Sequence, residues 1–118
     1  MDTQIKLDVS RIKALLDARI IRLKGDLDST NAESVLDQVT KLMNEGYVRI
    51  IADFSSLRYV NSTGMGVLLH LQKTAKERNG CFKIARINEN VREIIEIVGA
   101  GSILQIYDKV EDAVSSLS

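Results

Sequence analysis

The chain has 118 residues, 45% hydrophobic and 27% charged, which suits one soluble globular domain with its own core. Sixteen basic residues balance sixteen acidic ones, so no net field draws the chain to nucleic acid or an anionic membrane. No apolar run approaches the roughly 18 residues of a membrane span and no secretory leader pattern opens the chain, so a cytoplasmic setting is expected. Without proline or a low-complexity linker, residues 1–118 are expected to form a single domain.

In chain order, Ile5, Leu7 and Val9 alternate, as do Ile21 and Leu23, predicting two strands. Between them, "RIKALLD" is expected to extend the first strand into a hairpin turning near Asp17 and Ala18, with a bulge at Ser10–Arg11. A short helix is the other option there. Gly25 and Asp26 close the second strand, and Thr30 with Glu33 has the spacing of a capping box. Ala32, Val35, Leu36, Val39, Leu42 and Met43 then share one helical face opposite Asp37, Gln38, Lys41 and Glu45, and Gly46 stops the helix.

"YVRIIADF" is a nearly continuous apolar strand, of the kind buried on both faces. A helix over 63–78 ends at Asn79-Gly80, and a strand follows over 81–86. Next comes a helix capped by Asn88, with Val91, Ile94, Ile95 and Val98 inward and Gly99 as its stop. "SILQIY" is a short fifth strand, and Asp108 with Glu111 would box the start of a terminal helix. The alternation predicts an α/β domain: a mostly parallel mixed sheet of four to five strands, about four helices, and a leading antiparallel hairpin.

The stretch "YVNSTGMGVL" places two hydroxyls and two glycines where a strand hands over to a helix. Functional sites of open α/β sheets collect at such junctions. Asn61 or Ser62 can cap the helix, and Gly64 and Gly66 weaken its first turn, which suggests a close approach to the backbone. Ordinary capping and tight packing on the sheet would also account for these residues. No glycine run with a following lysine makes a phosphate loop, and Ser62 lacks the flanking glycines of a nucleophile elbow. His70, the lone histidine, has no orienting acid and no ligand partner, so neither catalysis nor a metal is expected.

Asn61-Ser62-Thr63 matches a glycosylation sequon, an accidental match without a secretory leader. Cys81, the lone cysteine, is expected to be buried and inert. Gly64, Leu68, Leu71 and Ala75 form the inward stripe of the second helix. Met65 and Leu69 lie beside it and are expected to be partly exposed partner contacts; the margin of the core is the other reading.

"ADFSSLRYVNSTGMGVLLHLQKTAKERNG" resembles the phosphorylation-site region of the STAS-domain family, specifically the bacterial anti-sigma factor antagonists. Asp53, Tyr59, Val60, Ser62, Thr63, Gly64 and Gly66 occupy the motif's places, and Asn61 stands where aspartate is commonest. "LKGDLDSTNA" resembles the family's second signature, and "NENVREIIEIVGAGSILQIYDKVEDAV" its C-terminal third. The resemblance implies a switch: the unmodified antagonist binds an anti-sigma factor that is itself a serine kinase, and phosphorylation abolishes the binding. It implies Ser62 as phosphoacceptor, with Asp26, Asp28, Asn61, Thr63 and Gly64 as partner contacts beside Met65 and Leu69. Thr63 is expected to pack its methyl or bond to nearby backbone. A phosphatase would be a further partner; no cofactor, nucleic acid or membrane is implied. Two rival readings are an accessory STAS subunit of a transport or stress-signalling complex, with Ser62 only a cap, and a small-molecule or nucleotide-binding domain that could be an enzyme.

Overall fold

The computed structural model describes residues 5–117. Strand β1 (Lys6–Ile12) and strand β2 (Leu15–Leu27) form the expected hairpin, but it turns at Lys13 and Ala14, not at Asp17 and Ala18. The reason is long-range. Ala18 is already paired with Arg49 in the sheet, and the Arg49 guanidinium holds the Asp17 carboxylate at 2.7–3.1 Å. Residues committed to those bonds cannot make a turn. Ala14 makes it with a φ of 70°. The irregularity falls at Arg11/Ile12, one position later than expected.

Helix α1 (Ala32–Asn44) buries Ala32, Val35, Val39 and Met43, and Gly46 follows it with a φ of 102°. The Thr30–Glu33 capping box does not form. The Thr30 amide and hydroxyl donate to Asp28 Oδ1 instead. Strand β3 (Arg49–Val60) runs further than the apolar run suggests, because β2 keeps pairing with it as far as Leu27 and Val60. Helix α2 (Ser62–Glu77) and strand β4 (Cys81–Ala85) follow. Helix α3 (Glu89–Ile97) is capped by the Asn88 side chain on the Val91 amide at 2.8 Å. Val91 and Ile95 are buried, Ile94 is half-buried, and Val98, expected to point inward, is exposed. A single 3-10 turn over Ala100–Ser102 leads to strand β5 (Gln105–Tyr107), shorter than expected, and helix α4 (Val110–Ser115). The Asp108–Glu111 box is also absent; Lys109 precedes α4 without a side-chain cap.

The five strands lie in the order β1-β2-β3-β4-β5, antiparallel at β1–β2 and parallel elsewhere. With right-handed crossovers, an order that never reverses sends successive helices to the same face of the sheet. The core agrees. Ile21, Ile50, Ala52, Phe82 and Ile84 of the strands cluster with Val35 and Val39 of α1, Leu68 and Leu71 of α2, and Val91 and Ile95 of α3.

The opposite face holds α4 by polar contacts. Arg49 donates to the Leu117 carbonyl at 2.9 Å, and the buried Lys83 ammonium donates to the Ser116 and Tyr107 hydroxyls at 2.8 and 3.1 Å. Burying an ammonium is costly unless its donors are satisfied. Here the two hydroxyls and the Tyr107 ring, 5.3 Å away, offset that cost. Side-chain hydrogen bonding by Ser116, and then by Lys83, holds the Tyr107 phenol below its ordinary pKa. Cys81, expected to be buried, is half-buried at this end of the sheet. Burial pushes its thiol pKa up, against the opposing pull of Lys83 and Arg49, which disfavours the reactive thiolate.

Candidate partner interface at the Ser62 turn

Strand β3 ends with Val60 fully buried, which anchors the turn that follows. The Asn61 amide donates to the Leu27 carbonyl at 3.1 Å, tying the turn to the end of β2. Asn61 then caps α2: its Oδ1 accepts from the Gly64 amide at 2.9 Å, and its carbonyl accepts from the Met65 amide at 2.9 Å. With Asn61 as the cap, Ser62 is not needed for that role. Ser62 is exposed at the first helical position, and its hydroxyl makes no hydrogen bond among the described residues.

Thr63 departs from expectation. It neither packs inward nor bonds to nearby backbone; it is exposed, and its Oγ1 accepts from the Ser29 hydroxyl at 3.2 Å. The Asn61 Nδ2 donates to the same Ser29 Oγ at 3.2 Å. Ser29 therefore links the β2–α1 turn to the β3–α2 turn, a role with no local sequence signal.

Asp26 and Asp28 lie on the β2–α1 side of this junction. Asp26 pairs with Arg58 at 3.2 Å, and Asp28 accepts from Thr30. Asn31 closes the turn by accepting from the Asp28 amide at 3.0 Å and donating to the Asp26 carbonyl at 2.8 Å. The Asp28 carboxylate thus braces the turn, while the Asp26 carboxylate ties the end of β2 to Arg58 of β3. Tyr59, in register with Asp26, leaves 45% of its surface exposed on the same rim.

The two glycines have different causes. Gly64 is buried, and a Cβ there would stand 2.8 Å from both the Leu27 Cγ and the Leu27 carbonyl oxygen. The close approach is made by β2 of the protein's own fold. A Cβ on Gly66 would meet nothing within 4 Å. Gly66→Ala is therefore expected to raise stability by up to about 1 kcal/mol, the helix-propensity difference. A higher denaturant midpoint at unchanged slope checks this.

Met65, expected to be partly exposed, is 2% exposed. The buried face of α2 is wider than a single stripe, because Gly64, Met65, Leu68, Leu71 and Ala75 all face inward. An unbranched thioether fills such a margin well. Leu69 is half-buried and packs against the core while keeping some surface open. The expected phosphoacceptor Ser62 and its neighbour Thr63 are thus exposed, whereas Gly64 and Met65 are interior.

Asp53 lies further back along β3, 1% exposed. Burial works to raise its pKa. The Ser55 backbone amide and side chain, the Arg22 guanidinium at 3.0 Å and Arg86 at 3.8 Å overcome that and hold it below the ordinary carboxylate value. Arg86 sits there with a φ of 65°, a left-handed backbone that non-glycine residues seldom adopt. A carboxyl with a lowered folded pKa contributes stability that is fully present above its unfolded value, about 3.9. That stability is lost as pH falls through the folded value. Asp53→Asn should therefore be less stable than wild type at pH 7 and lose less on acidification to pH 3. Urea midpoints at the two pH values measure both arms.

No group of metal-ligating residues occurs among the described residues, and no described helix is long and apolar enough to cross a membrane. The chain is similar to known regulators along nearly its whole length. An anti-sigma F factor antagonist of Paenibacillus polymyxa is 25% identical over 118 residues, covering 99% of this chain and 97% of the relative. An anti-sigma-B factor antagonist of Bacillus subtilis is 26% identical over 94 residues, covering 80% and 85%. The fold matches an anti-sigma factor antagonist from Mycobacterium paratuberculosis at a TM-score of 0.85 and 16% identity, covering 98% of this chain and 96% of that one. It also matches a sulfate transporter family protein from Wolinella succinogenes at 0.74 and 17% identity, covering 86% and 84%. The STAS domain profile matches residues 9–113, and the chain belongs to the STAS domain family.

Proposed function

We propose that the protein is a cytoplasmic anti-sigma factor antagonist whose unmodified form binds a serine-kinase anti-sigma factor, and that phosphorylation of Ser62 by that kinase ends the binding. The observation that carries this reading is the Ser62 hydroxyl: exposed, without a hydrogen-bond partner among the described residues, and held at the start of a long helix capped by Asn61. A nucleophile that must enter another protein's active site needs that freedom, on a turn rigid enough to present it. A phosphate added there meets the amide-rich, positive end of the helix, so α2 survives modification. Loss of binding then comes from bulk and about two negative charges inside the partner interface. A phosphatase would reset the switch. Incubation with candidate kinase anti-sigma factors and ATP, followed by mass mapping, tests the reading; modification confined to Ser62 is the expected result, and none on any residue counts against it.

A second reading, an accessory STAS domain of a transport assembly, draws on the transporter-family fold match. It is disfavoured by the Ser62 turn, where Asn61 already does the capping that reading would leave to Ser62.

A further inference from the structure

A groove of about 600 Å³ opens beside the hairpin, lined by Ile5, Lys6, Lys24, Gly25, Ser56 and Arg58. Lys6 and Lys24 stand directly opposite one another in the antiparallel β1–β2 pairing. Like charges so placed destabilise a sheet. Neither has an acidic partner among the described residues. Ser56 lies in register with Lys24 on the neighbouring strand. That register depends on an irregularity: Arg22 pairs with Asp53, but Lys24 pairs with Ser56, one position beyond the regular partner. The extra residue in β3 brings Ser56, and Arg58 two places on, to the groove. Irregularities of this kind re-aim side chains and are common next to functional sites. A second shift follows at Gly25, whose φ of 116° suits a residue without a side chain.

Adjacent strands lie about 4.8 Å apart, so Lys6, Lys24 and Ser56 span only about 10 Å. Two cations side by side on one groove suit a compact anion of multiple charge. Carboxylates on one side of an extended peptide fall about 6.6 Å apart along the strand, and would ask for cations strung along an edge. The groove exceeds the size of a bare phosphate, and Ile5 gives it an apolar wall. We infer that it binds the phosphoryl group of a small phosphorylated organic molecule: Lys6 and Lys24 supply the charge, and the Ser56 hydroxyl a hydrogen bond. Arg58, already paired with Asp26 at 3.2 Å, links the groove to the turn beside Ser62. This site is independent of the proposed Ser62 switch.

The test is an amide-shift titration of the whole protein by NMR with inorganic phosphate, glucose 6-phosphate, hexaglutamate, and sodium chloride at matched ionic strength. Phosphate and glucose 6-phosphate should move the Lys24, Gly25 and Ser56 signals saturably, the ester binding more tightly. K24Q, and more so K6Q/K24Q, should weaken both by about tenfold or more, as loss of charge-assisted contacts implies. Both side chains are exposed and mutually repelling, so the variants should fold with an unchanged or raised melting temperature. Shifts no larger than those from sodium chloride, an undiminished response in K6Q/K24Q, or tighter binding of hexaglutamate than of the phosphate ester would overturn the proposal.

Discussion

Ser62→Glu is expected to bind the anti-sigma partner at least about a hundredfold more weakly than wild type, a difference of about 2.7 kcal/mol. Ser62→Ala should bind normally and accept no phosphate. The side chain is exposed and makes no hydrogen bond among the described residues, so removing its hydroxyl costs the fold little. A carboxylate in the first turn of α2 interacts favourably with the helix dipole, by about 0.3–1 kcal/mol. The glutamate variant should therefore melt no lower than wild type, which separates lost binding from lost folding. Thr63→Ala should remain a substrate, because only its bond to Ser29 is removed. Titration calorimetry with the kinase and mass mapping of each variant supply the readouts. A phosphate on Thr63, or wild-type modification of Ser62→Ala, would sink the assignment.

The largest loss of stability from a single methyl is expected at Gly80, between α2 and β4. A Cβ there would lie 2.0 Å from the Val48 carbonyl oxygen and 2.6 Å from its carbon. Those atoms are fixed backbone, since the same oxygen accepts the Cys81 amide at 3.0 Å as the chain enters β4. The Gly80 amide is held in turn by the Ala75 carbonyl at 2.8 Å. Relief requires the helix end and the strand start to separate. Gly80→Ala should cost about 3 kcal/mol or more, at the upper end for overpacking. In a domain of this size that lowers the melting temperature by roughly 10 °C. A fall of only one or two degrees would show that the connection yields easily. Gly66→Ala, with the same added methyl and open space around it, should shift the transition the other way.

What the sequence reveals and hides follows the range of the interactions. Helix faces and the caps at Asn61 and Asn88 depend on residues three or four apart, so periodicity and side-chain type expose them. The hairpin turn lies elsewhere than the local pattern predicts because Asp17 answers to Arg49, 32 positions away. The Thr30 capping box failed because Asp28, two residues earlier, competes for the same amide and hydroxyl. Met65 is marginal on an isolated helix, because the neighbours that cover it come from elsewhere in the fold. The Ser29 link to Thr63 spans 34 positions and leaves no pattern at all. Motif resemblance marks Ser62, but that Asn61 and not Ser62 caps α2 depends on a backbone geometry that the sequence leaves open.

The uninterrupted strand order β1-β2-β3-β4-β5 also bears on how the chain folds. Each strand joins the one made just before it, so every closure spans one hairpin or one helical connection. Loop-closure entropy is then met in small instalments, which favours fast folding for a largely parallel sheet. On the ribosome the sheet can grow outward from the N-terminal hairpin as residues emerge, with no early strand waiting for a distant late one. The unpaired edge exposed at each stage is covered by the next strand to be synthesised, which keeps the interval for edge-to-edge aggregation short.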